Sequence, residues 1–481
     1  MYITNGDDMS IYTTSPEDET LHLEFDTNAS LIAGLGNTEL VQYIGIHLNY
    51  VRNPVPGLQK IAQMIRNNAQ AWPRIRHLEV SMNFNQVEAT RAGQDIARFI
   101  IESKKLVSEL VNLLPNISQL SLPETRSNAF NASVYNQLAS AYAPQLTMLC
   151  SNIVTIFDDA AQLAQLTCLN IQIRPNMLVS VPKLAAATLQ NLTLRNVPAD
   201  YTWDDFASSS SDSQVWFTSL QTLTLTFNRT SKQTIRDTAV TSLHFPRLKI
   251  LRVYAASGES RGFFKLSKFS ALDVLDLAES PVELKPIGQL SFQVTRVLRL
   301  TANFPWLTNQ KHGFQAINRF IDKTESGALV ELNVTNNIAH VDVDAGNITN
   351  GKIAHLCISG AVSVETLVGI ISTLPRLKVL IVAEVNSEAT FIVPNIPPPN
   401  GHGALAIQPL NVQLESLSLD FNWVGNSTKM HTGLIKCLIL SLPRLQWLAI
   451  EQGLLPQILA FIAAYQHAYP HLASLRLRPV D

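Results

Sequence analysis

The chain of 481 residues is short of charge: 15% of its side chains are Asp, Glu, Lys or Arg, against about a quarter in ordinary soluble domains. The signs nearly cancel, to a formal -2, so no general attraction to nucleic acid or to an anionic membrane is implied. Cysteine is scarce as well. Cys150, Cys168, Cys357 and Cys437 are scattered, without the paired spacing that holds zinc and without a terminal cluster to staple the ends. No apolar run approaches the ~20 residues needed to cross a bilayer. The opening MYITNGDDMS has no basic stretch leading into an apolar core, so no signal peptide is expected. These absences point to the cytoplasm or nucleus.

The metalloprotease signature is missing too: no H-E-x-x-H holds a metal. The glycine stretches GLGNTE at Gly34 and GHGALA at Gly401 lack the third glycine of a dinucleotide loop. The 11 histidines are dispersed, with His47, His77 and His355 inside strand frames, where a solvent-facing or hydrogen-bonded ring is the ordinary state. The expectation is a chain without enzymatic activity, cofactor or metal.

What the sequence has in abundance is one short frame. LESLSLDFN, starting at Leu414, places leucines at its first, fourth and sixth positions and an asparagine at its ninth. The fourth and sixth lie two apart and share one face of a strand, and an asparagine suits the sharp exit that follows. With Ile and Val allowed for Leu, the frame recurs about fifteen times at a mean spacing of about 28 residues, the pattern of a leucine-rich repeat. Clear copies begin at Ile75, Ile117, Leu166, Leu189, Leu220, Leu248, Leu272, Leu329, Ile353, Leu377, Leu414, Leu445 and Leu472. LTMLCS at Leu146 lacks the last apolar position, TRVLRL at Thr295 lacks the first, and VQYIGI at Val41 is a further candidate. The asparagine position is filled at Asn83, Asn228, Asn303, Asn337 and Asn422.

Several copies follow a proline by two residues, as in WPRI, LPNI, FPRL, LPRL and YPHL. Upstream of the proline lie apolar residues at helical spacing, such as Ile96, Phe99, Ile100, Leu106, Leu110 and Leu113, or Leu434, Leu438 and Leu442. Each unit therefore reads as strand, loop, helix, proline stop and next strand. The fold class expected is an α/β solenoid, a leucine-rich repeat horseshoe with parallel strands on its concave face and helices or irregular segments on its convex face. A solenoid grows by addition, so the length does not require division into separate domains.

Residues 39–481 read as one irregular array. Residues 1–38 differ, with seven acidic side chains from Asp7 to Asp26 and no Lys or Arg; an acidic N-terminal tail or cap is expected there. Two insertions, 197–217 and 386–411, interrupt the repeat with loop-type composition. The first carries Tyr201, Trp203, Phe206 and Trp216 around Asp204 and Asp205, which makes it the better candidate for binding.

With the fourth and sixth positions in the core, the third, fifth and seventh point outward. About fifteen strands at ~4.8 Å make a face of the order of 70 Å, wide enough for a protein or peptide. Small polar residues dominate these positions. Against them stand Arg195, Arg252, Tyr254, Asp276 and Arg299 in the middle units, and Trp447, Glu451, Arg476 and Arg478 in the last two. Arg, Tyr and Trp are the residue types that most often dominate interface energy. Arg252, Asp276 and Arg299 occupy the fifth position of three successive strands, so a sideways ion-pair ladder is an equal reading for them.

Through LPRLKVLIV, LPRLQWLAI and FPRLKILRV and the uneven unit lengths, residues 40–481 resemble the leucine-rich regions of fungal F-box and F-box-like proteins. The resemblance implies the substrate-binding half of a ubiquitin ligase adaptor, with a Skp adaptor and a cullin as partners. Residues 1–38 show no Leu-Pro-opening helical segment of the F-box kind. The leading expectation is therefore a non-enzymatic scaffold that binds a protein partner on its concave face. The alternative is a Skp-cullin-F-box substrate receptor with a missing or degenerate F-box. An extracellular recognition receptor is the second alternative. Eight Asn-x-Ser/Thr triplets would suit it, among them Asn28, Asn191, Asn228 and Asn333; Asn191 and Asn333 fall inside predicted strands, and a chain rich in Asn, Ser and Thr forms such triplets by chance.

Overall fold

The computed structural model describes residues 11–13, 20–26, 43–49, 59, 63, 66, 75–82, 86–91, 93, 95–123, 129–151, 163–172, 187–197, 217–227, 245–254, 272–281, 294–303, 310–322, 324–335, 343, 345–386, 408–421 and 428–480. The chain divides into two compact units, the first essentially residues 1–248 and the second essentially 249–481.

In the first unit the strands are β1 (Ile11–Thr13), β2 (Thr20–Asp26), β3 (Tyr43–Asn49), β4 (His77–Met82), β5 (Gln119–Leu122), β6 (Met148–Ser151), β7 (Cys168–Gln172), β8 (Asn191–Val197) and β9 (Thr222–Phe227). From β2 onward each pairs in parallel with the next in sequence, and β1 lies antiparallel on β2. Helices α1 (Gln86–Arg91), α2 (Ile96–Leu113) and α3 (Ala129–Tyr142) occupy the connections after β4 and β5.

The second unit repeats the arrangement with β10 (Ile250–Tyr254), β11 (Leu272–Pro281), β12 (Val294–Asn303), β13 (Leu329–Thr335), β14 (Ile353–Ser363), β15 (Val379–Asn386), β16 (Ser416–Phe421), β17 (Trp447–Ile450) and β18 (Arg476–Pro479). Consecutive strands again pair in parallel. Its helices are α4 (Gln310–Ile321), α5 (Val364–Thr373), α6 (Thr428–Ser441) and α7 (Leu455–Tyr465). Parallel strands joined in sequence order, with helices in the connections, make each unit an α/β solenoid segment.

The leucine frame supplies the inner face. In HLEVSM the burial alternates, Leu78 and Val80 inward and His77, Glu79 and Ser81 outward, as a period of two requires. Ile75, Leu78 and Val80 are buried, as are Leu414, Leu417 and Leu419 and the corresponding triplets at Leu272 and Ile353. The incomplete copy at Leu146 keeps its inward sixth position, which buried Ser151 fills. Large aromatics pack the first unit's core, with Phe130, Tyr135 and Tyr142 on α3 fully buried.

Capping explains the helix limits. Asp95 accepts a hydrogen bond from the Arg98 amide at 3.1 Å and starts α2, which stops before Pro115. Ser363 starts α5 by accepting from the Thr366 amide at 3.2 Å. Before several strands a turn stacks on its neighbour's. Thr147 Oγ1 donates to the Ser118 carbonyl and Thr167 Oγ1 to the Thr147 carbonyl, both at 3.1 Å, beside backbone bonds between the same turns.

Within residues 1–38, β1 and β2 are strands, and β2 runs parallel to β3. The alternation Leu21, Leu23, Phe25 carries that strand inside a composition dominated by acids. The four aromatics of the first insertion and residues 387–407 of the second lie outside the described residues, as do Asn83, Asn228, Asn337 and Asn422.

Candidate functional site

The outward face of the second unit collects most of the singled-out residues, because strict strand register lines them up. Arg252 stands opposite Asp276, Asp276 opposite Arg299, Arg299 opposite Glu331, and Glu331 opposite His355. The same row continues through Val379, Ser416, Trp447 and Arg476.

Its first half is internally paired. Arg299 Nε donates to Glu331 Oε2 at 2.6 Å, and its Nη1 lies 3.6 Å from Asp276 Oδ2. The hydrogen bond from Arg299 to Glu331 raises the guanidinium's pKa above its already high ordinary value. Tyr254 donates its hydroxyl to the same Asp276 oxygen at 3.1 Å, and Asp276 itself is 4% exposed. A partner cannot reach that carboxylate without displacing Tyr254 or Arg299. His355 Nδ1 lies 3.9 Å from Glu331 Oε1, closing the row. Alternating charge on adjacent strands makes this a cross-strand ladder.

The second half is different. Trp447 is 41% exposed, and the Arg476 guanidinium stacks over its ring at 4.9 Å from the centroid, a cation–π contact that orients both. Ile381, one row further along β15, is 40% exposed. Between them β16 offers only Ser416 and Ser418. Arg478, opposite Ala449, is exposed. Lys378 pairs with Glu415 at 3.6 Å. Glu451 follows β17 and is half-buried.

Arg195 sits apart, on the outward face of the first unit opposite Gln172. The next residue, Asn196, has φ 57°, a left-handed conformation that asparagine tolerates, and the β8–β9 register shifts between Leu194 and Val197. The resulting bulge leaves Arg195 exposed. Burial pushes the Cys150 thiol up, and the Arg195 charge opposes that shift. Nearby, His77 Nε2 bonds Ser121 Oγ at 3.1 Å, and burial lowers its pKa.

A pair of asparagines escaped sequence reasoning. Asn411, buried three residues before Leu414, donates to the carbonyls of Ile371 and Leu374 at 2.9 Å each and accepts from the amides of Gln413 and Leu414. It closes the C-terminus of α5 from the next unit. Asn350, three before Ile353, does the same for α4 through the Asn318 carbonyl and Asp322 Oδ1, and accepts from the Lys352 amide. The signal was an asparagine at a fixed offset before the first apolar position, present in only two copies. A cavity of about 460 Å³ at the end of α4, between Asn318, Asp322, Asn350, Lys352 and Arg376, is walled by these capping groups. Lys352 Nζ donates to the Asp322 and Thr324 carbonyls and Arg376 to the Ser326 carbonyl.

Among the described residues no group of three or more His, Cys, Asp or Glu could hold a metal ion. No helix among them is long and apolar enough to cross a membrane. No family model matches the chain. No curated protein matches it either.

Proposed function

We propose that this chain is a non-enzymatic leucine-rich repeat scaffold, cytoplasmic or nuclear, that binds a protein partner through the outward, concave face of its sheet. The observation that carries the reading is the exposed Trp447 with Arg476 stacked on it, separated from exposed Ile381 only by the serines of β16. Exposed aromatic and arginine anchors on a rigid sheet are what a protein interface uses. The strands hold those anchors in register, so little ordering entropy is lost when a partner docks.

The test is a pull-down of the tagged protein from its own cells with mass spectrometry of what is recovered, repeated with Arg252→Glu, Arg299→Glu and Trp447→Ala. A partner recovered by the wild type and lost with at least one of these variants is expected. Undiminished recovery by all three moves binding to residues 197–217 or to the helices. Recovery of a Skp adaptor and a cullin makes the substrate-receptor alternative primary.

A further inference from the structure

On the outward face of β15–β18 two apolar groups flank a strip of serines. On one side stand Val379 and Ile381, and on the other Trp447 with Arg476 over its ring. These walls are two strands apart, about 10 Å. The floor between them is Ser416 and Ser418, too small to fill that width, so the slot suits a single aliphatic or aromatic side chain. Both apolar walls are exposed, Ile381 at 40% and Trp447 at 41%, and large exposed apolar groups on one continuous surface mark a recognition site.

The charges around the slot are unequal as well. Toward β13 the cation is already neutralised, because Arg299 lies between Glu331 and Asp276. Lys378, at the start of β15, pairs with Glu415. At the β18 side, Arg476 and Arg478 form no ion pair among the described residues, and Arg476 meets only the indole. Beyond the slot, near the C-terminal end of β16, lies Asp420. Acids on a ligand are attracted to β18 and repelled from that end, which fixes where they sit.

Resting on the reading proposed above, we infer that this face takes an extended acidic segment of the partner protein. The segment crosses β15 to β18, seats one apolar side chain between Ile381 and Trp447, and places the carboxylates that follow on Arg476 and Arg478. Four strands span about 14 Å, or roughly five extended residues. A single-stranded RNA could also stack on Trp447 and meet the arginines. Its phosphates repeat along the whole strand, however, and would run against Asp420 and over the apolar Val379 and Ile381, whereas a peptide carries acids only where its sequence puts them.

The experiment uses the full chain and fluorescence anisotropy with four labelled probes: an acidic peptide of about eight residues with one central leucine, its charge-reversed counterpart with lysines, the acidic peptide with serine for leucine, and oligouridylate. The expected result is that the acidic leucine peptide binds at least about tenfold tighter than the other three. Trp447→Ala and Arg478→Glu each reduce that binding by a similar factor, Arg478→Glu improves the lysine peptide, and added salt weakens the acidic complex. Equal binding of the serine or lysine peptide, tighter binding of oligouridylate, no binding of the acidic leucine peptide, or indifference to Arg478→Glu overturns the inference. If that happens while a cellular partner is still lost with Arg252→Glu, the scaffold reading stands and only the acidic-segment assignment falls.

Discussion

Replacing Asn411 by alanine removes four hydrogen bonds at a position 5% exposed. The carbonyls of Ile371 and Leu374 lose the amide donors that close α5, and the amides of Gln413 and Leu414 lose their shared acceptor. Each intramolecular hydrogen bond contributes about 0.5–1.5 kcal/mol net, and a buried group left unsatisfied costs about 1–3 kcal/mol. Water can enter to serve part of the site, so the four losses do not add fully. A destabilisation of about 2–4 kcal/mol is expected, large beside the 5–15 kcal/mol of a typical domain. Urea denaturation followed by far-ultraviolet circular dichroism measures it, and Asn411→Asp serves as the control. The carboxylate keeps an acceptor for the two amides but has no N–H for the two carbonyls and sets negative charge against them, so it should not restore stability. A loss below about 0.5 kcal/mol in the alanine variant, the range of an ordinary surface substitution, would refute the capping role, and so would full rescue by aspartate.

Three further outcomes follow from contacts elsewhere in the fold. A double-mutant cycle of Arg299→Ala and Glu331→Ala should give a coupling of up to about 1 kcal/mol that shrinks as salt is added; zero coupling at low salt would remove the ladder. Tyr135→Phe should cost about 1–3 kcal/mol, because the hydroxyl donates to the Pro123 carbonyl and accepts from the buried Met82 amide, both at 3.1 Å; a neutral substitution would contradict that pairing. His431 is buried and stacked on Phe421 at 4.4 Å, and burial lowers its pKa below the ordinary 6.5. Its neutral form therefore favours the fold above that pH, and the contribution is lost as pH falls through the lowered value. Below pH 6.5 the unfolding free energy should fall at up to about 1.4 kcal/mol per pH unit for this one proton. His431→Phe should flatten the profile, leaving the His77 contribution, and an unchanged acid slope would refute the assignment.

The strands were legible because their signal is local and repeated. Leu, Leu and Leu at 414, 417 and 419 specify a buried face through a period of two, and many imperfect copies can be read by reference to the good ones. Helices before a proline were legible for the same reason, although α2 buries Ser103, Val107 and Leu110 and leaves Ile96, Phe99, Ile100, Leu106 and Leu113 half-buried. The apolar stripe on that helix is shifted from the one read from leucine spacing alone. β2 was missed because five acids precede it and two more, Glu24 and Asp26, lie inside its short alternation, and composition averaged over 38 residues hides a seven-residue strand. Asn411 and Asn350 were missed because a cap is defined by what it reaches in another repeat, a distance of 28–40 residues in sequence.

Register carries the functional reading further than residue type can. Sequence alone placed Arg252, Asp276 and Arg299 on one row, but it could not tell a cation held by carboxylates from one still available to a ligand. That distinction depends on Glu331, an ordinary-looking residue that happens to stand opposite Arg299 and bonds it at 2.6 Å. An arginine already neutralised contributes little new attraction to a partner and resists being turned toward it, since its departure would strip Asp276 and Glu331 of a shared counter-charge. Arg476 carries no such debt: its contact is the Trp447 ring, which holds the guanidinium in place without cancelling its charge. Two arginines of equal promise in the sequence thus have opposite roles. Arg299 ties strands together, and Arg476 keeps its attraction for something outside the chain.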